Sequence, residues 1–154
     1  MSQAIFYLLP QVSTPSAREQ VEMAACKLAQ WHYANGAQVY IHCNDQTQAY
    51  AIDEQLWQFD PISFVPHNLK GEGPAAGAPV EIGFDPIGPG KLRQVLINLA
   101  DQSPAFAVNF GHIIDFVAND DAMKVIARQR YKQYRAFNIP LSTQELTTEP
   151  LKPV

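Results

Sequence analysis

Two cysteines, Cys26 and Cys43, are all this 154-residue chain contains, too few for a disulfide framework or a thiolate metal cluster. Cys26 falls in a helical pattern and Cys43 ends a strand-like run, so both read as buried reduced thiols. No apolar run is long enough to span a bilayer. Met1–Pro10 lacks the basic start and cleavage site of a signal peptide, so a cytoplasmic location is expected. Charged residues make up only 17% and hydrophobic ones 47%, which places the chain among globular proteins and outside the disordered class. Its net charge of −4 makes the surface as a whole mildly repulsive to nucleic acid.

Chemical signatures are also missing. Gly71-Glu72-Gly73-Pro74 with Gly77 is glycine-rich, but no Lys-Ser or Lys-Thr follows, and Pro74 and Pro79 remove donors a phosphate cradle would use. Neither C-x-x-C nor H-E-x-x-H occurs. His42 and Cys43 are neighbours on a strand and point to opposite faces. His32 sits on an apolar helical stripe as a core histidine, and His67 and His112 read as isolated loop residues. There is no G-x-S-x-G elbow. Asp115, between Ile114 and Phe116, is the one oddly placed carboxylate, and an edge-strand or capping role is expected for it. No catalytic residue, metal site or cofactor is therefore assigned, and the chain is not expected to be an enzyme.

What is present is a strand and helix alternation. Ala4–Leu9 reads as a strand, and Thr14-Pro15-Ser16 opens a helix in which Ser16 and Glu19 have capping-box spacing. Val21, Ala24, Ala25, Leu28 and His32 form its stripe, and Gly36 ends it. Gln38–Cys43 is the next strand, and Asn44 or Asp45 caps a helix whose inward stripe is Ala49, Ile52 and Leu56. Between residues 60 and 91 regularity lapses, with six of the twelve prolines and six of the eight glycines. Ser63–Pro66 and Val80–Phe84 are candidate short strands there. Gln94–Leu99 and Ile113–Val117 read as strands, Pro104–Phe110 as a short helix or turn, and Asp121 to about Arg135 as a helix. The pattern predicts a single domain over residues 1–154. It is a three-layer α/β/α fold with a mostly parallel sheet, Rossmann-like without a nucleotide site. Residues 136–154 are expected to form an irregular tail.

Charge is concentrated on the last helix. Residues 121–136 carry Lys124, Arg128, Arg130, Lys132 and Arg135 against Asp121 alone, a local charge of +4 in an acidic protein. At about 100° per residue, Lys124, Arg128, Lys132 and Arg135 share one face, Tyr131 falls among them, and Met123, Ile126, Ala127 and Tyr134 face the core. Val117 ends the preceding strand close to the same spot. A cationic lip beside an apolar hole suits an acidic peptide ending in a large apolar residue; a solvated amphipathic helix would look similar. Tyr50 and Trp57 form a second aromatic row on the earlier helix, followed by Phe59 and Phe64. They suit either burial beneath the long loop or a docking patch.

The run Ser63-Phe64-Val65-Pro66-His67-Asn68-Leu69-Lys70-Gly71-Glu72-Gly73-Pro74, continuing through Gly77-Ala78-Pro79-Val80-Glu81-Ile82, resembles the chi subunit of the bacterial DNA polymerase III clamp-loader complex. Ile5-Phe6-Tyr7-Leu8-Leu9, Ala49-Tyr50 through Leu56-Trp57, and Arg128-Gln129-Arg130-Tyr131-Lys132 fit the same family, so the resemblance covers roughly residues 4–135. It implies a non-catalytic adaptor that binds the acidic C-terminal tail of single-stranded-DNA-binding protein and links it to the clamp loader through the psi subunit. The implied tail pocket is Val117, Lys124, Arg128, Tyr131 and Lys132. The implied psi-facing surface is Trp57 and Phe64 with Pro66, a surface relatives also present to a DNA repair helicase. DNA would be reached only indirectly. Residues 85–111 depart from the family pattern, and the longer, proline-bearing stretch after Arg135 keeps Thr143 out of the assigned pocket. The alternative is direct binding of single-stranded nucleic acid by the basic helix 121–135. A small hydrolase or nucleotide enzyme is a further rival.

Overall fold

In a computed structural model, which describes residues 2–11, 16–58, 65–73 and 77–146, apolar segments form one sheet. Its strands are β1 (Gln3–Leu8), β2 (Val39–His42), β3 (His67–Leu69), β4 (Val80–Gly83), β5 (Val95–Asn98), β6 (His112–Val117) and β7 (Leu141–Glu145). They lie in the order β3-β4-β2-β5-β6-β1-β7, and every pairing is parallel. The interior strands are buried on both sides, as a sheet covered on both faces requires.

Two apolar clusters show which element covers which face. Helices α1 (Ala17–Ala34) and α2 (Gln46–Gln58) pack on Ile5, Tyr7, Val39, Ile41, Val95 and Ile97. Helix α3 (Asp121–Ala136) and a 3₁₀ turn at Ala105–Asn109 cover Ala4, Phe6, Tyr40, Leu96 and Ile113. Adjacent residues thus enter opposite clusters, the period-2 rule that the strand reading used. The helix ends follow local chemistry. The Ser16 hydroxyl accepts from Glu19 N–H at 3.2 Å, and the Asp45 carboxylate from Gln48 N–H at 2.8 Å. Gly36, at φ +87°, turns the chain out of α1.

The fold class agrees with the sequence reading; several local assignments do not. Of the short strand expected at Ser63–Pro66, Ser63 and Phe64 lie outside the described residues; the strand described is His67–Leu69, and its bonding to β4 opens with the Pro66 carbonyl accepting from Val80 N–H at 3.2 Å. Residues 136–154 are not irregular throughout, since β7 adds to β1 along Leu141–Glu145. His67 and His112 are not loop residues: they open β3 and β6. Asp115 is neither at an edge nor a cap, but fully buried in β6 between β5 and β1. Thr14, Pro15, Phe59, Phe64 and Pro74 lie outside the described residues.

Both thiols are buried and unbridged, and burial followed by the Glu22 charge pushes Cys26 up to about 12. Among the described residues no helix is long and apolar enough to cross a membrane, and no three His, Cys, Asp or Glu side chains gather as metal ligands.

Candidate functional site

Helix α3 is held on the sheet by a buried ion pair. Arg130 donates from Nε to Asp115 Oδ1 and Oδ2 at 3.0 and 3.1 Å, and from Nη2 to the Phe116 carbonyl at 2.9 Å. The Tyr134 hydroxyl donates to Asp115 Oδ2 at 2.9 Å and the Asn98 amide to the same oxygen at 3.2 Å. Burial, then the Asp115 charge, raises the Tyr134 hydroxyl well above its usual pKa, so it remains a donor. Ser103 ties the loop after β5 to the same helix: its N–H donates to Gln133 Oε1 at 2.7 Å and its hydroxyl to the Arg130 carbonyl at 3.2 Å. Arg130 therefore does not belong to the exposed cationic face. It is 9% exposed and neutralises a carboxylate.

With Arg130 and Tyr134 turned inward, helical spacing places Arg128, Lys132 and Arg135 in solvent and Lys124 half-buried at the near end of α3. None of these four forms an ion pair with another described residue. Tyr131 lies half-buried with its ring tilted on Phe6, centroids 5.6 Å apart. Beside it is an open hollow of about 340 Å³ lined by Phe6, Val117, Lys124, Ala127, Arg128, Tyr131 and Thr143. That volume is at the small end of ligand-sized pockets, ~300–1,000 Å³, suited to one or two side chains. Its floor is apolar and its rim cationic.

Of the five residues assigned to this pocket, the structure brings Val117, Lys124, Arg128 and Tyr131 around one hollow. Lys132 is exposed one turn beyond Arg128 and does not line it. Phe6 was missed, and Thr143 was left out although it lines the hollow. They are directly paired across β1 and β7, so Thr143 comes to the wall only because β7 exists. The continuous apolar run of β1 marks Phe6 as a strand residue; nothing in the sequence shows that its face opens beside α3.

A second hollow adjoins the first through Val117 and Lys124, lined also by Leu8, Leu9, Pro10 and Asn119. It sits where β1 leads to α1 on one face and its neighbour β6 to α3 on the other, the switch point at which such sheets hold nucleotides. Here the first turn of α3 is already capped by a carboxylate, Asp120 accepting from Met123 N–H at 3.0 Å. A phosphate at that end would meet a like charge.

The second predicted surface lies on α2 and β3. Trp57 is 56% exposed and Tyr50 49%, so the long loop does not bury this aromatic row. The Trp57 ring meets His67 edge-on at 5.0 Å, and His67 Nδ1 lies 2.7 Å from the Val65 carbonyl, which fixes the imidazole beneath the indole. Pro66 is half-buried next to it. Phe64, assigned to the same surface, is outside the described residues.

Comparison with known proteins identifies the family. A family model described as DNA polymerase III chi subunit, HolC, matches residues 1–142. The chain is 43% identical over 143 residues to DNA polymerase III subunit chi of Escherichia coli strain K12, covering 93% of this chain and 97% of that protein. It is 45% identical to the Haemophilus influenzae subunit, covering 93% and 96%, and 39% identical to that of Pseudomonas aeruginosa, covering 95% and 98%. With a family match over most of its length and full-length relatives at this identity, the chain belongs to the DNA polymerase III chi subunit family, a component of DNA replication.

Proposed function

We propose that this chain is a non-catalytic adaptor of the replicative polymerase. The hollow beside α3 takes the acidic C-terminal tail of single-stranded-DNA-binding protein, and the α2–β3 surface joins the psi subunit of the clamp loader. The observation that carries the reading is the placement of Lys124 and Arg128, without anionic partners among the described residues, on the rim of an apolar hollow. Exposed cations left unpaired around an apolar socket suit an anionic chain whose last side chain is large and apolar. Val117, Phe6 and Tyr131 wall the seat of that side chain. Lys124 and Arg128 face its carboxylates, and Lys132 extends the positive field along α3.

The expected strength is moderate. Burying one aromatic side chain contributes ~1.5–3 kcal/mol, and each charge-assisted hydrogen bond ~1.5–3 kcal/mol. After the cost of ordering a short chain end, affinity falls in roughly the micromolar range. Trp57 and Pro66, with Phe64, form the surface for psi, and a DNA repair helicase competes for the same anchors. DNA is reached only through the tail's owner: α3 offers one accessible aromatic, Tyr131, half-buried on Phe6, while Tyr134 is fully buried, so there is no stacking row for bases.

Fluorescence anisotropy with a labelled acidic peptide ending in phenylalanine tests the reading. Binding is micromolar, weakens with salt, and loses most of its strength on Arg128→Ala or on removal of the last residue. Salt-insensitive binding, or indifference to that residue, would refute the pocket. Naked single-stranded DNA binds poorly in the same assay; tight binding to it would favour direct recognition.

A further inference from the structure

Strand β7 ends the sheet on its side, with no described strand beyond it. Its ladder with β1 uses alternate residues: Ala4 N–H donates to the Pro140 carbonyl at 2.9 Å and Leu146 N–H to the Leu8 carbonyl at 3.0 Å. The register sets Ala4 level with Leu141, Phe6 with Thr143 and Leu8 with Glu145. In a parallel ladder, the residue level with a bonding partner turns its own backbone groups the other way. The Leu141 carbonyl, both groups of Thr143 and the Glu145 N–H are therefore directed away from β1. Thr143 and Glu145 are exposed. The strand contains no proline or lysine, two devices that ordinarily block such an edge.

This open edge coincides with the candidate pocket. Thr143 lines the hollow with its side chain while its backbone faces outward, and α3 carries Arg128, Lys132 and Arg135 in solvent on the same side of the sheet. Charge along the edge is graded. The C-terminal half of α3, with Lys132 and, in the last turn, Arg135, leads within a few residues into the start of β7, whereas Glu145 stands at its far end. A negatively charged segment is favoured beside the start of the strand and disfavoured at its end.

Resting on the tail-binding reading above, we infer that the acidic chain end docks as an eighth strand, parallel to β7, its main chain bonded to Leu141, Thr143 and Glu145. It runs from the Arg135 end towards Lys124. The residues level with Thr143 and Glu145 both put their side chains on the face of Phe6 and Tyr131, and the one level with Glu145, beside Val117, is the chain's last. Main-chain pairing supplies affinity that depends little on sequence, while the hollow selects the terminal side chain.

The arrangement predicts an alternating pattern. Two peptide N–H groups, two residues apart, donate to Leu141 and Thr143, and the N–H between them points to solvent. Single N-methylation along the acidic peptide, read by anisotropy against the whole chain, weakens binding about tenfold or more at those two positions and leaves the intervening one unchanged. On the protein, Glu145→Pro removes an outward N–H without touching the ladder to β1, and it weakens binding even though it also removes a repelling carboxylate. Glu145→Gln binds as well as the parent or better. Uniform or absent sensitivity to N-methylation would overturn the strand addition while the pocket stands, as would equal binding by Glu145→Pro and Glu145→Gln. If the unmodified peptide fails to bind, the tail reading falls and this inference with it. The N-methyl series holds whatever Glu145→Pro does to folding.

Discussion

Replacing Arg130 with methionine tests how the structure holds the site together. Asp115 is fully buried, and Arg130 supplies the only positive charge bonded to its carboxylate among the described residues. In Arg130→Met the carboxylate retains the Tyr134 hydroxyl, the Asn98 amide and the Phe116 N–H, but no counter-charge. Breaking a buried pair by removing one partner typically costs ~3–5 kcal/mol, because the remaining charge is stranded in low dielectric. A domain of this size is stable by only ~5–15 kcal/mol, so the variant should fold at low temperature yet unfold at much lower urea. Adding Asp115→Asn removes the stranded charge while keeping a group that Tyr134 can still address. It should recover part of the loss. Equilibrium urea unfolding followed by tryptophan fluorescence and far-ultraviolet circular dichroism measures both. A cost below about 1 kcal/mol for Arg130→Met, or a double variant worse than the single one, would refute the assignment of Arg130 as the bolt of α3.

Other consequences follow from the same geometry. Trp57→Ala, or Phe64→Ala seven residues on, should abolish capture of psi or helicase in pull-downs while leaving peptide affinity within about twofold; coupled loss in a folded variant would argue against two separate surfaces. Arg128→Lys should restore only part of the affinity lost in Arg128→Ala, since an ammonium cannot grip a carboxylate bidentately; full rescue would reduce the rim to simple charge. Stability should fall on acidification. Burial lowers His32 to about 4, with the His112 ring 5.4 Å away adding to the effect, and burial lowers His42 to about 4. Both are neutral when folded but take up a proton on unfolding below the ordinary value of 6.5. From there down to about 4 each costs about 1.4 kcal/mol per pH unit. His32→Gln should flatten the urea midpoint over that window, and an unchanged slope would contradict the burial argument.

The fold was legible where local chemistry and burial agree. Ser16 and Asp45 are caps whose side chains do what their positions suggest, and the apolar runs at β1, β2, β5 and β6 are the buried strands. β7 was not legible, because Ser142, Thr143 and Gln144 are polar and lack period-2 contrast; an edge strand open to water needs none. Arg130 entered the sequence reading only in the charge of the segment and was left off its cationic face; it stands four residues from both Ile126 and Tyr134, on the inward stripe, but its partner fifteen residues earlier is invisible to helical spacing. The rim at Lys124, Arg128 and Tyr131 could be read from one helix. Its opposite wall could not, because Phe6 and Thr143 meet only through a strand register that tertiary structure sets.

The most direct measurement is a crystal structure of the protein with the acidic peptide bound. The account predicts the terminal aromatic ring in the hollow between Phe6, Val117 and Tyr131, with the adjoining carboxylates within ion-pair distance of Lys124 or Arg128. Peptide density elsewhere, or a ring lying outside that hollow, would contradict it.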